Sequence, residues 1–379
     1  MPAVSPVLTA LFFCSSLSGF AQQGASSSPL TPPTESATSS SGRRITLDVV
    51  VTDKSGKPLP GLRQQDFTVL DDKQPQKILS FSATDETGEA TGSPQQVILL
   101  VDAVNNSFDG VGYERLQLDK FLRQDGGRLP NPTSLVLLTD TSQGQSVITR
   151  DGNALMNVLN SNPSGLRSIS RSQGFYGGAD RVQLSLGSLE GLASHVATEP
   201  GRKLLIWLSP GWPMLSGPEV ELSAKDQQML FHTVVSLSTE LREARITLYS
   251  VDPLGVADGG SFRTFYYESF LKGVSSAKQV QNGNLGLQVL AAQSGGRVLN
   301  SSNDIAKSMA SCLLDAKSFY TLSFDSPPAD HPNEYHSLQI KISKPGPHCP
   351  YANRLLRSAL GPPGAYRFSF PKSRNDKVQ

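Results

Sequence analysis

Four stretches of the chain are apolar almost without a break: "VILLV" at 97–101, "SLVLLT" at 134–139, "KLLIWLS" at 203–209 and "ITLYSV" at 246–251. A strand with one wet face alternates apolar and polar residues. Strands apolar on both faces belong in the centre of a parallel sheet covered by helices. Helical spacing fills the segments between them. "YERLQLDKFLRQ" follows the first run, "GNALMNVLNS" follows the second, and "LSLGSLEGLASHVA" precedes the third. Between the third and fourth, Ser223 with Asp226 forms a capping signature, and Leu230, Val234, Leu237 and Leu241 line one face. Another helix, "LGLQVLAAQSGG", closes at Gly295-Gly296 before the short strand "RVLN". Alternating strand and helix predicts a doubly wound, mostly parallel α/β layer over residues 95–316.

The flanks have a different rhythm. "ITLDVVVTD", "DFTVLDD" and "QKILSFSA" lie within 44–83, and Ile45, Leu47, Val49 and Val51 alternate as in a half-buried strand. "KSFYTLSF" and "YHSLQIKIS" alternate again within 317–345, ahead of a tail at 346–379. Each flank is too small to stand alone, since an isolated hairpin is marginal in water. Pairing them into one accessory β-sandwich-like unit beside the α/β body is the economical expectation. Two connections, 161–182 and 253–284, are long and carry arginines and aromatics. Such segments serve either as binding loops or as covers folded back on the body.

The beginning of the chain reads as an export signal, residues 1–21, with "VLTALFFCSSLSGF" as its apolar run and a small-residue cut after Ala21. No Lys or Arg precedes Arg43, so the usual basic start is missing, and a short anchor or misplaced start is the alternative. Residues 22–43 are Ser, Thr and Pro with little to bury, a flexible linker. The expected location is periplasmic or extracellular, with no integral span in the mature chain. Past residue 21 two cysteines remain, Cys312 and Cys349. An oxidising compartment permits a bridge. Against it, Ile305, Met309, Cys312 and Leu313 recur at helical spacing after the cap-like Asn303, which reads Cys312 as core.

Net charge is +1, giving no reason to expect nucleic acid as a partner. Catalytic patterns are also wanting. No Gly-x-Ser-x-Gly elbow or Gly-x-x-x-x-Gly-Lys phosphate loop occurs, and the five histidines are scattered. The chain is expected not to be an enzyme and to need no cofactor.

Open parallel sheets bind ligands at the carboxyl ends of their strands. That rule selects Asp102, Asn105, Asn106, Ser107 and Ser209 as the candidate ligand-binding rim. Asp102, planted after "VILLV", is either a metal ligand or a carboxylate that accepts backbone N–H bonds where the next helix begins. The second is preferred.

Six blocks in order bear on this choice: "ITLDVVVTDKSGKPLPGLRQQDFTVLDD", "VILLVDAVNNSF", "GRKLLIWLSPGWP", "ITLYSVDPLG", "LAAQSGGRVLNSSND" and "FYTLSF". Together the sequence resembles the von Willebrand factor type A fold and, more narrowly, the VWFA-related domain family of Acidobacteria, over roughly residues 44–345. The resemblance implies a module that grips a protein ligand. It also implies a metal-ion-dependent adhesion site, with Asp-x-Ser-x-Ser at the first strand end, a Thr from a later loop and a further Asp. Asp102 matches the first ligand. The two serine positions fall on Val104 and Asn106, the Thr position on Ala179 or Ser185 depending on the alignment, and the last Asp on Pro210. A set this degenerate is too poor in oxygen donors for Mg²⁺. The expectation is therefore an exported adhesion or interaction module that binds a protein or surface polymer without metal. The alternatives are Mg²⁺- or Mn²⁺-dependent adhesion through a degenerate site, and a structural envelope scaffold.

Overall fold

The computed structural model describes residues 44–53, 57–84, 95–106, 108–139, 143–161, 175–212, 222–254, 267–326, 334–343 and 355–360. The proposed signal and linker, Ser107 and Cys349 lie outside the described residues. In chain order the N-terminal strands are β1 (Arg44–Val49), β2 (Phe67–Asp71), β3 (Gln74–Gln76) and β4 (Ser80–Thr84). The body contains β5 (Gln95–Asp102), α1 (Phe108–Leu122), β6 (Arg128–Leu138), β7 (Gln143–Gln145), β8 (Thr149–Asp151), α2 (Gly152–Ser161) and α3 (Phe175–Val196). It continues through β9 (Arg202–Leu208), α4 (Ala224–Glu243), β10 (Ile246–Val251), α5 (Leu287–Gln293), β11 (Val298–Leu299) and α6 (Ile305–Lys317). The chain then enters β12 (Phe319–Asp325), β13 (Glu334–Ile342) and β14 (Leu355–Leu360).

The four apolar runs are the four inner strands of a seven-stranded sheet in the order β11-β10-β9-β5-β6-β7, with β8 also on β6. From β11 to β6 every pairing is parallel, and only β7 and β8 run against their neighbour. Alternate residues of each strand bury into opposite layers. Ile98, Leu100, Leu205 and Trp207 pack under α3, α4 and α5, whereas Leu99, Val101, Leu204 and Ile206 pack under α1, α2 and α6. This is the doubly wound α/β layer. The stripe Leu230, Val234, Leu237 and Leu241 is the buried face of α4, and each side chain so buried contributes about 1.5–3 kcal/mol. Ser223 caps that helix by accepting from the Asp226 N–H at 3.2 Å.

Three expectations are adjusted. Helix α3 begins at Phe175, inside the stretch read as a loop. The Gly177-Gly178 pair looks like a break, yet Ala179, Val182, Leu186 and Leu189 keep one buried face, and that packing outweighs the glycines. The cap of α6 is Asp304 rather than Asn303, its carboxylate accepting from Lys307 N at 3.1 Å. A strand forms at Leu355–Leu360, pairing antiparallel with β13, where the sequence carried no alternation. Cys312 is fully buried in α6, as its spacing implied, and burial pushes its thiol up to about 12.

Both flanks meet in two small sheets, β1-β12-β4 and β14-β13-β2-β3. Ile45, Leu47, Phe67, Val69, Leu322, Phe324, Leu338 and Ile340 form their shared core, so the accessory unit is a β-sandwich. Only Ser318 separates α6 from β12. A second tie is Arg245, which occupies the left-handed position after α4 (φ 55°) that glycine usually takes. Its guanidinium grips both Asp48 oxygens, at 3.0 and 2.7 Å.

Gly296 turns the chain from α5 into β11 so tightly that a Cβ would sit 1.7 Å from the Leu248 carbonyl oxygen. Backbone cannot yield as a side chain does. Gly296→Ala is expected to lower the free energy of unfolding in urea by about 1–3 kcal/mol; an unchanged midpoint would contradict this packing.

Candidate functional site

Chain order reverses at β5: β6 lies on one side, while β9 and β10 lie on the other. A crevice opens at such a switch point because successive connections leave in opposite directions. Asp102 ends β5 and Ser209 follows β9, so the sheet brings these two candidates to the crevice together with Asn105 and Asn106. Asp102 and Ser209 are wholly buried, Asn106 is nearly so and Asn105 is half-buried.

The chain turns immediately after Asp102, and the carboxylate organises the turn. One oxygen accepts from the backbone N–H groups of Val104 and Asn105, each at 2.9 Å. The other accepts from the Asn105 amide at 2.8 Å and from the Trp207 indole N–H at 3.0 Å. A carboxylate offers about four acceptor positions, and here four donors take them. Asn105 also donates to Ser185 Oγ at 2.8 Å, which selects Ser185 over Ala179 as the α3 residue placed at this site. Ser209 Oγ accepts from Gly211 N at 3.0 Å, and Gln288 donates to the Pro210 carbonyl at 3.0 Å.

Beneath the turn lies an acid that the strand-end rule did not select. Glu114, on α1, is fully buried, with neither carboxyl oxygen in a hydrogen bond of normal geometry. Burial pushes it well above its ordinary value. Asp102 and, less strongly, Asp252 push the same way, while Asn106 opposes them. Asp252, just past β10, is buried and accepts from Leu254 N at 2.9 Å. Signals for both were present. Glu114 falls on the same stripe as Val111, Leu118 and Leu122, and Asp252 ends an apolar run just as Asp102 does.

Magnesium demands near-octahedral oxygen ligation. Val104 supplies no side-chain oxygen, Pro210 stands where a carboxylate is required, and the Asp102 oxygens are already engaged. The residues present do not fit that ion. Among the described residues, no group of three or more His, Cys, Asp or Glu is placed to hold a metal. Among the described residues, exposed or half-exposed groups at the strand ends include Asn105, Thr139, Leu254, Asn300 and Ser301.

No protein-family model matches the chain, and no curated protein matches it significantly. Among solved structures it is similar to an aerotolerance-related membrane protein from Bacteroides fragilis NCTC 9343, carrying multiple mutations to serines. Identity is 14%, over 59% of this chain and 99% of that one, with a TM-score of 0.31. It is also similar to the manganese-loaded TRAP protein of Plasmodium vivax, at 8% identity over 75% and 98% of the two chains, with a TM-score of 0.35. Both are distant likenesses. The α/β class of this chain rests on its own strand order. Among the described residues, no helix is long and apolar enough to cross a membrane.

Proposed function

We propose that the chain is an exported, non-catalytic interaction module of the VWFA-related kind, binding a protein or surface polymer at its strand-end rim without a metal. The carrying observation is the saturation of Asp102 by four hydrogen bonds, which leaves no lone pair for a cation. Asp102 and Ser209 then act as the rigid floor of the rim. Contact falls to the side chains around them, above all Leu254, whose large apolar side chain is 37% exposed at the end of β10. A solvent-facing apolar group beside polar neighbours is the usual composition of a docking surface.

The test is capture of partners from the native envelope fraction by the mature chain, with and without EDTA, using the wild type and Leu254→Asp with Ser301→Arg. Capture unaffected by EDTA and reduced at least tenfold by the rim variant is the expected result. Loss of capture in EDTA, together with a rise in melting temperature on adding Mg²⁺ or Mn²⁺, would transfer the reading to metal-dependent adhesion. Undiminished capture by the rim variant would move the contact surface elsewhere, as a scaffold role requires.

A further inference from the structure

Helix α3 leads into β9 through residues 197–201, so it runs back along the sheet and starts at the carboxyl ends of the strands. Ser185 meets Asn105 over the Asp102 turn, and its hydroxyl also donates to the Arg181 carbonyl at 2.8 Å. Residues four apart share a helix face, so Arg181 stands above Ser185, about 5.4 Å nearer the opening. Helical side chains lean toward the helix N-terminus, which carries the guanidinium further out. Among the described residues of the crevice, 103–106, 139, 175–185, 209–212, 252–254 and 300–303, no other Lys or Arg occurs.

This cation is unmatched within the described residues. Its Nε is enclosed without a hydrogen-bond partner, and no ion pair there includes it. Asp102 cannot neutralise it, because four donors already fill that carboxylate. Arg181 is half-buried, and of its three guanidinium nitrogens Nε alone is cut off from solvent. The two terminal nitrogens therefore stay open, side by side.

Their complement is a planar group with two negatively charged oxygens, since a guanidinium binds a carboxylate through paired N–H···O bonds. The second open group is apolar: Leu254, 37% exposed at the end of β10. β5 and β10 are two strands apart, about 10 Å, which an extended peptide covers in about three residues. A peptide can supply an acid and an apolar side chain at that spacing. An acidic polysaccharide supplies the acid without the apolar side chain.

We propose that Arg181 is the charged contact of the rim, pairing with an Asp or Glu of a protein partner that also sets an apolar residue against Leu254. This rests on the strand-end rim being the contact surface and names the chemistry of what it grips.

The test is selection of phage-displayed random dodecapeptides on the full chain, with EDTA present throughout. Enriched peptides are expected to carry Asp or Glu beside apolar residues. Replacing that acid by its amide should weaken binding at least about tenfold, a comparison that needs no protein variant to fold. Arg181→Gln should weaken binding as much, and Arg181→Lys, which keeps the charge but not the paired donors, should weaken it less. Absence of enrichment, enrichment of peptides lacking acids, or equal binding to Arg181→Gln would overturn the proposal. Peptides that ignore Arg181→Gln but are lost with Leu254→Asp and Ser301→Arg would refute Arg181 while keeping the rim. Peptides indifferent to all three substitutions would refute the rim itself.

Discussion

Asp102→Ala is expected to destabilise the protein by about 3–5 kcal/mol, measured by urea unfolding with tryptophan fluorescence as the signal. Removing the carboxylate orphans two backbone N–H groups and the Trp207 indole N–H, and frees one proton of the Asn105 amide, which keeps its bond to Ser185. Each buried donor left alone costs about 1–3 kcal/mol, and partial relaxation of the turn keeps the total below their sum. Trp207 is itself fully buried and packs at 64° against Trp212, with centroids 5.6 Å apart, so its emission reports the loss directly. Asp102→Asn retains an acceptor and should cost less than half as much. A near-neutral alanine variant would mean that the turn does not depend on the carboxylate.

Glu114→Gln should act in the opposite direction, and its effect should grow with pH. Glu114 is held well above its ordinary value of 4.5 in the folded chain. A carboxyl raised in this way contributes its full stability below the unfolded value and loses it as pH rises through the folded one. Over that window the folded chain holds a proton that the unfolded chain releases, so wild-type stability falls by about 1.4 kcal/mol per pH unit. Glutamine keeps the shape without titrating. The two proteins should be nearly equal at pH 4, and the variant's lead should widen as pH rises above the unfolded value until the folded carboxyl itself titrates. The groups facing Glu114 are Asp102 on β5, Asn106 in the turn and Asp252 after β10, and none of them is a cation. Parallel stability curves for the two proteins would refute the assignment.

How far the sequence spoke differs from element to element. The inner strands were legible because burial on both faces leaves one pattern, a continuous apolar run. The sandwich was legible because Ile45, Leu47, Leu322 and Phe324 alternate and neither flank could close a core alone. β7, β8 and β14 escaped notice. β7 and β8 are three residues each and β14 does not alternate, so all three owe their shape to the strand beside them, a long-range effect without a local signal. At the site, the strand-end rule found Asp102, Asn105, Asn106 and Ser209 but not which atoms face solvent, since burial depends on the turn closing over them. Trp207 was hidden inside "KLLIWLS", where a tryptophan reads as core. Its one polar atom becomes informative only when an acceptor is found within 3.0 Å.

The single-residue join at Ser318 has a mechanical consequence. Arg202, at the start of β9, donates to the Asp315 carbonyl at 2.8 Å and lays its guanidinium over the Phe319 ring at 4.8 Å, so one side chain clamps both sides of the join. β12 also lies between β1 and β4. With a single residue at that junction and Arg202 touching both sides of it, the path from the ends of the parallel strands to the outer sheets runs directly through the helix that precedes β12.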